Sequence, residues 1–140
     1  MALARTVGAL KDSARKRGGM TRPLKILLVE DHVDTQQVMT RLLASFKHDV
    51  KSASSIASAL ALASAHPFDL VISDIGLPDG SGEVLMAQLR KQYNVPGIAV
   101  SGFVEEVGRP GSMFSARLVK PITLEQLEKV IVSVIGKDVH

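Results

Sequence analysis

The stretch Ile26-Leu27-Leu28-Val29-Glu30-Asp31 places four successive apolar residues directly before two carboxylates. Apolar residues at successive rather than alternate positions are typical of a parallel strand that is buried on both faces. Similar runs recur at Leu70–Ile72, Gly97–Val100 and Leu118–Val119, whereas Asp49–Ser52 is more polar and suits a strand near the sheet edge. The sequence therefore predicts five strands, most of them fully buried.

Periodic helical patterns separate these strands. Asp34 or Thr35 is the predicted N-cap of the first helix, and Thr123 begins the last with a capping box that includes Gln126. The repeated alternation of strand and helix predicts an α/β fold with a parallel sheet between helical layers. The positions predicted to face the core are Val38, Met39, Leu42, Leu43 and Phe46, then Ile56, Leu60 and Ala63, then Val84, Leu85, Leu89 and Tyr93, and finally Leu124, Leu127, Val130, Ile131 and Val134.

One segment interrupts the alternation. Phe103–Ser115 should carry the fourth of five helices, but Gly108, Pro110 and Gly111 lie within it. Glycine and proline disfavour helix by about 1 and 3 kcal/mol per residue. We therefore expect a short or degraded fourth helix, with at most one turn at Val104–Val107.

Charge divides the chain into two unequal parts. Residues 1–22 contain six basic residues and one acidic residue, whereas the remainder contains 11 basic and 13 acidic residues. We interpret residues 1–22 as a basic, flexible N-terminal arm without a specific function, with a short amphipathic helix or a targeting peptide as the alternatives, and residues 23–140 as one domain. Met20 is an alternative start, and a chain beginning there is predicted to fold normally. The acidic body argues against a nucleic-acid-binding face.

Composition excludes further classes of protein. The 140 residues include no Cys, so disulfides, thiolate metal sites and thiol nucleophiles are ruled out. No apolar run approaches the roughly 20 residues of a membrane span. We expect a cytoplasmic domain, which the lack of Cys fits without proving.

Polar residues follow four of the apolar runs. Glu30 and Asp31 follow the first, Asp74 the second, Ser101 the third and Lys120 the fourth. Ligands of open parallel sheets bind at the carboxyl ends of the strands, so these side chains should meet at one edge. Clustered carboxylates without Cys or His partners favour Mg²⁺, and a carboxylate can act as a nucleophile toward a phosphoryl group. The alternative is structural: Lys120 pairs with Asp74, and the acidic pair caps a helix.

Together these motifs resemble the receiver domain of two-component response regulators. The resemblance covers Leu24 to about Gly136. It rests on Val29-Glu30-Asp31-His32, on Ser73-Asp74-Ile75-Gly76-Leu77-Pro78-Asp79-Gly80-Ser81-Gly82, on Val100-Ser101-Gly102 and on Leu118-Val119-Lys120-Pro121.

The resemblance implies a doubly wound, flavodoxin-like sheet of strand order 2-1-3-4-5. It implies that Asp74 accepts the phosphoryl group and that Lys120 and Ser101 bind it. Mg²⁺ would be bound by Asp31 and Asp74, by Glu30 through water and by the main-chain carbonyl of Gly76. The Lys120–Pro121 peptide is expected to be cis, and the small Gly102 should leave the phosphoryl site open.

One position departs from the family pattern. Receiver domains usually carry an aromatic switch residue three positions before the lysine, and this chain has Arg117 there. An unpaired guanidinium is costly to bury, so we expect Arg117 to stay at the surface, with Glu105 and Glu106 as candidate partners. The shortened segment after Ser101 also argues against the usual dimer, so a monomer is slightly favoured.

The resulting interpretation is a stand-alone, CheY-like receiver without an output domain. It would accept phosphoryl groups from a sensor histidine kinase or a histidine phosphotransfer protein, without binding nucleic acid or spanning a membrane. It would not be an enzyme beyond self-catalysed transfer and autodephosphorylation. Two alternatives remain: a pseudo-receiver that only binds proteins, and a small aspartyl phosphatase, which Gly76 disfavours because a general acid is expected there. His32 is interpreted as an exposed loop residue, and the alternative is that it tunes the site beside the acidic pair.

Overall fold

The computed structural model of the chain describes residues 22–102 and 111–138. The predicted turn at Val104–Val107, the candidate partners Glu105 and Glu106, and nearly all of the basic arm lie outside these residues. Arg22, the last residue assigned to the arm, forms an ion pair of 3.4 Å with Asp69. The elements are β1 (Lys25–Val29), α1 (Val33–Ser45), β2 (Asp49–Ala53), α2 (Ile56–Ala65), β3 (Leu70–Asp74), β4 (Gly76–Leu77), β5 (Gly80–Ser81), α3 (Gly82–Tyr93), β6 (Gly97–Ser101), β7 (Ala116–Val119) and α4 (Leu124–Asp138).

Five parallel strands form the main sheet in the order β2-β1-β3-β6-β7. Counting these five alone, the order is 2-1-3-4-5, which confirms the expected doubly wound topology. β4 and β5 form a separate antiparallel pair in the loop after β3. The polar strand β2 lies at one edge, as its composition predicted.

Each face of the sheet is covered by one pair of helices. On β1, Ile26 and Leu28 pack on the α1 and α4 side, whereas Leu27 and Val29 pack on the α2 and α3 side. Both faces are therefore apolar, which explains why the strands read as continuous apolar runs. No helix among the described residues is long and apolar enough to cross a membrane.

The helices bury narrower faces than their periodicity predicted. Val38 and Val84 are exposed, as are Tyr93 and Leu124, although all four were expected to face the core. The buried residues of these helices lie one residue or about one turn from the four exposed ones. They include Met86, next to Leu85, which the periodicity did not predict. A helix that lies on a sheet buries only one stripe of side chains, so the flanking apolar residues remain in solvent.

Helix termini follow local hydrogen-bonding rules with one exception. Thr123 Oγ1 accepts a hydrogen bond from the Gln126 amide and Gln126 Oε1 accepts one from the Thr123 amide, which confirms the predicted capping box. The predicted cap of α1 was wrong: the helix starts at Val33, so His32 is the N-cap, and its side chain does not cap the helix. No helix occurs in residues 111–115, the described part of the interrupted segment.

Candidate functional site

The carboxyl ends of β1, β3, β6 and β7 place the predicted polar residues at one edge of the sheet. Asp74 is the last residue of β3 and pairs in register with Val100, next to Ser101. The Lys120 amide donates a hydrogen bond of 2.8 Å to the Ser101 carbonyl, which fixes these two chain segments side by side. The sheet register and this backbone bond therefore place the phosphoacceptor candidate, Ser101 and Lys120 close together in the chain fold.

Lys120 connects two buried carboxylates. Its Nζ lies 3.0 Å from Glu30 Oε1 and 3.3 Å from Asp74 Oδ2. Glu30 is 2% exposed and Asp74 is 9% exposed. Buried carboxylates are costly unless they are paired, so the lysine partly neutralises a site that would otherwise be strongly repulsive.

Glu30 is held from its other side by His32. The His32 amide donates to Glu30 Oε2 at 3.0 Å, and His32 Nδ1 lies 2.9 Å from the same oxygen. The Gln36 side-chain amide also donates to the Glu30 carbonyl at 2.8 Å. Side chain and backbone of Glu30 are thereby both fixed at the start of α1.

Asp31 carries the feature that best fits a cation. Its Oδ1 is a buried atom that accepts no hydrogen bond from the described residues, although His32 Nδ1 approaches it to 3.5 Å. Donor atoms of Glu30, Asp31, His32 and Asp74 all lie within 4.8 Å of one another. An oxygen-rich cluster of this kind suits a hard divalent cation such as Mg²⁺.

Burial and charge shift the titration of this cluster in opposite directions. Burial raises the pKa of Asp74, and Lys120 opposes that shift. Burial also favours the neutral form of Glu30, but hydrogen bonds from His32 and Lys120 outweigh it and lower the pKa of Glu30. Desolvation disfavours the Lys120 charge, yet contact with Glu30 and Asp74 raises the pKa of this lysine above its ordinary value. The folded site thus keeps the Lys120 side chain positively charged beside Asp74.

Gly76 and Gly102, which follow Asp74 and Ser101 in the chain, lie at open positions. A Cβ atom on Gly76 or Gly102 would meet nothing within 4 Å, so both positions are open. Gly82 differs, because a Cβ there would lie 2.3 Å from the Asp74 carbonyl oxygen. The Lys120–Pro121 peptide is cis, as the resemblance implied.

The comparison with known families agrees with this geometry. The family model of the response regulator receiver domain matches residues 26–132. The chain belongs to this family.

Known receivers give the same result. The CheY-like receiver domain of a response regulator from Methylobacillus flagellatus has a TM-score of 0.73 and 31% identity, over 80% of this chain and 98% of that chain. The receiver domain of the sensor histidine kinase PA1611 of Pseudomonas aeruginosa PAO1, solved with a magnesium ion in its active-site cleft, has a TM-score of 0.73 and 26% identity, over 81% of this chain and 98% of that chain.

The curated relatives are much longer proteins. The sensor protein TorS of Escherichia coli K12 is 30% identical over 115 residues, which is 77% of this chain and 12% of TorS. The chain spans less than a fifth of the length of the first curated relatives it matches. Their similarity therefore concerns the receiver domain and not the whole of those proteins.

The receiver domain departs from the expected switch arrangement at Arg117. This residue lies on β7 and pairs in register with Ala99. Its side chain is half-buried, so the predicted surface position is only partly right.

Two contacts of the receiver were missed from sequence. His32 is exposed as expected, but its ring contacts Glu30 and Asp31 instead of projecting freely into solvent. Glu83, in the first turn of α3, accepts hydrogen bonds from Ser112 Oγ at 2.6 Å and from the Met113 amide at 2.9 Å. The place of His32 directly after Glu30 and Asp31 was a usable signal of its contact with them. The contact between Glu83 and Ser112 joins residues 29 positions apart, and no feature of the sequence indicated it.

Proposed function

We propose that this receiver accepts a phosphoryl group from a phosphohistidine onto the carboxylate of Asp74. A carboxylate oxygen forms the new bond to phosphorus while the phosphorus–nitrogen bond breaks, and the departing imidazole keeps that electron pair. The observation that carries the proposal is the contact of Lys120 Nζ with both Asp74 and Glu30 in a buried site. Such a site presents a nucleophile with a cation already beside it.

Lys120 and Ser101 stabilise the transferred group. The Lys120 ammonium lies where negative charge develops on the phosphoryl oxygens, and electrostatic stabilisation of that charge is the main source of rate in phosphoryl transfer. Ser101 is buried at the end of β6, next to the Lys120 backbone, and its hydroxyl supplies a hydrogen bond to a phosphoryl oxygen. The same residues would serve self-catalysed hydrolysis of the product.

The residues present fit a magnesium ion. Asp31 and Asp74 would bind it directly, Glu30 through water, and Gly76 through its main-chain carbonyl. The unbonded Oδ1 of Asp31 and the all-oxygen set of these four groups support this assignment. When bound, Mg²⁺ would neutralise phosphoryl oxygens during transfer. The magnesium-bound receiver of PA1611 supports the same choice of ion.

The phosphodonor we propose is a sensor histidine kinase or a histidine phosphotransfer protein. Receiver domains act with histidine kinases, and TorS, a relative of this chain, is a sensor protein. Arg117 would replace the aromatic switch residue, so the response to phosphorylation would be electrostatic rather than a ring rotation. Amide NMR shifts of Gly111–Arg117 with and without a phosphoryl mimic test this, because unchanged shifts would exclude it.

Intact-mass spectrometry after treatment with acetyl phosphate tests the acceptor. The wild-type chain should gain one phosphoryl group with Mg²⁺ and almost none with EDTA. Asp74→Asn should not be labelled, whereas Asp49→Asn, a change at an exposed carboxylate at the opposite edge of the sheet, should be labelled normally. Equal labelling of Asp74→Asn would refute the assignment. No labelling of the wild type would favour a pseudo-receiver.

A further inference from the structure

We propose that His32 is an additional ligand of the metal site and that it gives this receiver a preference for transition-metal ions that a site of oxygen ligands alone would lack. The inference rests on the proposed function, because it concerns the same cation site. It adds an imidazole to a donor set otherwise made of carboxylates, a carbonyl and water.

The position of the ring carries this inference. His32 Nδ1 lies 2.9 Å from Glu30 Oε2 and 3.5 Å from Asp31 Oδ1, so it sits between two of the acidic side chains. It is one of the four donor atoms that lie within 4.8 Å of one another. The imidazole is thus a member of the cluster of side chains that could bind a cation.

The backbone explains why the ring lies there. His32 is the N-cap of α1, with φ −84° and ψ 117°, yet its side chain makes no capping hydrogen bond. Its amide donates to Glu30 Oε2, the oxygen that the ring also approaches. The amide therefore anchors the residue beside the acidic pair, and the ring is directed toward the carboxylates and not toward the helix.

The side chain is also accessible. It is 70% exposed, whereas the Glu30 side chain beside it is 3% exposed. A hydrated ion can therefore reach the imidazole from solvent, and little packing has to change for Nδ1 to exchange its contact with Glu30 for a metal bond.

The chemistry of the donor set predicts selectivity. Mg²⁺ prefers oxygen ligands and keeps several of its waters, so it gains little from an imidazole. Nickel, cobalt and zinc bind imidazole well, and affinity rises along the first-row series toward copper. His32 should therefore strengthen binding of Ni²⁺ while it leaves Mg²⁺ binding nearly unchanged.

A positioning role must be separated from a ligand role. His32 could act only by holding Glu30 through its hydrogen bond. In His32→Gln the side-chain amide can still donate to Glu30 but is a poor ligand for Ni²⁺, whereas His32→Phe can do neither. A ligand role predicts that both variants lose Ni²⁺ affinity, and a positioning role predicts that glutamine restores it.

The experiment uses the full 140-residue chain without an affinity tag at about pH 8, above the ordinary histidine pKa of about 6.5. Calorimetry measures Ni²⁺ and Mg²⁺ affinity, and electron spin echo envelope modulation of bound Mn²⁺ detects nitrogen coordination. We expect nitrogen coupling in the wild type and in His66→Gln, a matched change at an exposed histidine outside the site. In His32→Gln we expect no nitrogen coupling. Its Ni²⁺ affinity should be at least about tenfold weaker than that of the wild type, and its Mg²⁺ affinity should stay within about twofold of the wild-type value.

The other outcomes overturn the inference. Nitrogen coupling that persists in His32→Gln, an unchanged ratio of Ni²⁺ to Mg²⁺ affinity, or weakening in His32→Phe alone would each exclude a ligand role. The proposed function would survive those results if His32→Gln is still phosphorylated with Mg²⁺. If the wild type binds none of these ions and is not phosphorylated, both proposals fail.

Discussion

Lys120, after β7, forms an ion pair with Glu30, after β1, with 3.0 Å between Nζ and Oε1. This is shorter than the 3.3 Å that separates the same Nζ from Asp74 Oδ2. Glu30 is in turn held by His32. The lysine is therefore positioned by Glu30, and a change at Lys120 affects both carboxylates.

Removal of the lysine charge should impair the site and the fold together. Lys120→Met leaves Glu30 buried without its cation, so we expect the free energy of unfolding to fall by about 1–3 kcal/mol. Phosphorylation by acetyl phosphate should slow by at least about tenfold. Urea denaturation and intact-mass spectrometry measure these effects. Lys129→Met, at an exposed position on α4, is the control and should change neither quantity. Normal labelling of Lys120→Met would contradict the role of Lys120.

Neutralising Asp74, the proposed acceptor, should stabilise the metal-free protein. The site gathers three carboxylates, Lys120 contacts two of them, and burial already opposes the charge on Asp74. In EDTA, Asp74→Asn should raise the free energy of unfolding by an amount of the order of 1 kcal/mol. Added Mg²⁺ should stabilise the wild type by mass action and do so far less in Asp31→Asn. Thermal unfolding curves with and without Mg²⁺ decide this. Equal Mg²⁺ stabilisation of Asp31→Asn would remove Asp31 from the ion site.

A buried histidine far from the site predicts a pH dependence. Leu24 N donates to His48 Nδ1 at 3.0 Å, and burial lowers the pKa of His48. The unfolded chain therefore binds the proton more readily than the folded one, so stability is full above the ordinary histidine pKa of about 6.5 and falls as pH drops below it.

His48→Gln isolates that effect, because glutamine does not titrate and both proteins keep His32. Urea denaturation of the pair between neutral and acidic pH should show the wild-type advantage shrinking by about 1 kcal/mol as pH falls. His66→Gln, at an exposed histidine, is the matched control for the substitution itself. A constant difference between wild type and His48→Gln at all pH values would rule out the buried neutral histidine.

Most of the fold followed from the sequence because the local signals agreed with one another. Apolar runs such as Ile26–Val29 are buried on both faces, and the Thr123 capping box begins α4 where predicted. Errors arose where tertiary packing chooses among equivalent apolar residues. Val84 and Leu85 are both apolar, but only Leu85 points at the sheet, since rotation of the helix is set by its neighbours.

The candidate site also contains a part that the sequence predicted and a part that it did not. Strand order and strand ends bring Glu30, Asp74 and Lys120 together, so residue type and position in the chain were enough to predict their proximity. The contacts of His32 and Glu83 depend on side-chain direction and on a loop of irregular geometry. The place of His32 directly after the acidic pair pointed to its contact, whereas no periodic pattern encodes the contacts of Glu83, so sequence reasoning had no means of finding those.

Glu83 should anchor the segment before β7. Its carboxylate accepts hydrogen bonds from Ser112 and Met113, which ties α3 to residues 111–115. Glu83→Ala should lower the free energy of unfolding by about 1 kcal/mol and shift the amide NMR signals of Ser112–Ser115. Glu125→Ala, at an exposed position in the first turn of α4, serves as the control. Unchanged signals in Glu83→Ala would mean that the segment is held by other contacts.

Gly82 should be intolerant of a side chain. A Cβ there would lie 2.3 Å from the backbone oxygen of Asp74, a contact that only a backbone shift can relieve. Gly82→Ala should cost about 1–3 kcal/mol of stability and reduce phosphorylation, because Asp74 would move. Gly136→Ala, within α4 and with nothing within 4 Å, should instead stabilise by up to about 1 kcal/mol. Equal stability of Gly82→Ala and the wild type in urea would show that the close approach is not real.

The central claim is that Asp74 carries the phosphoryl group, and chemical mapping of the modified residue tests it most directly. Borohydride reduces an aspartyl phosphate to homoserine, and trypsin releases residues 52–90 as one peptide that contains Asp69, Asp74 and Asp79. Fragmentation of that peptide after phosphorylation with Mg²⁺ should place homoserine at position 74 alone. Homoserine at position 69 or 79, or its absence from a chain that has gained a phosphoryl group, would contradict the account.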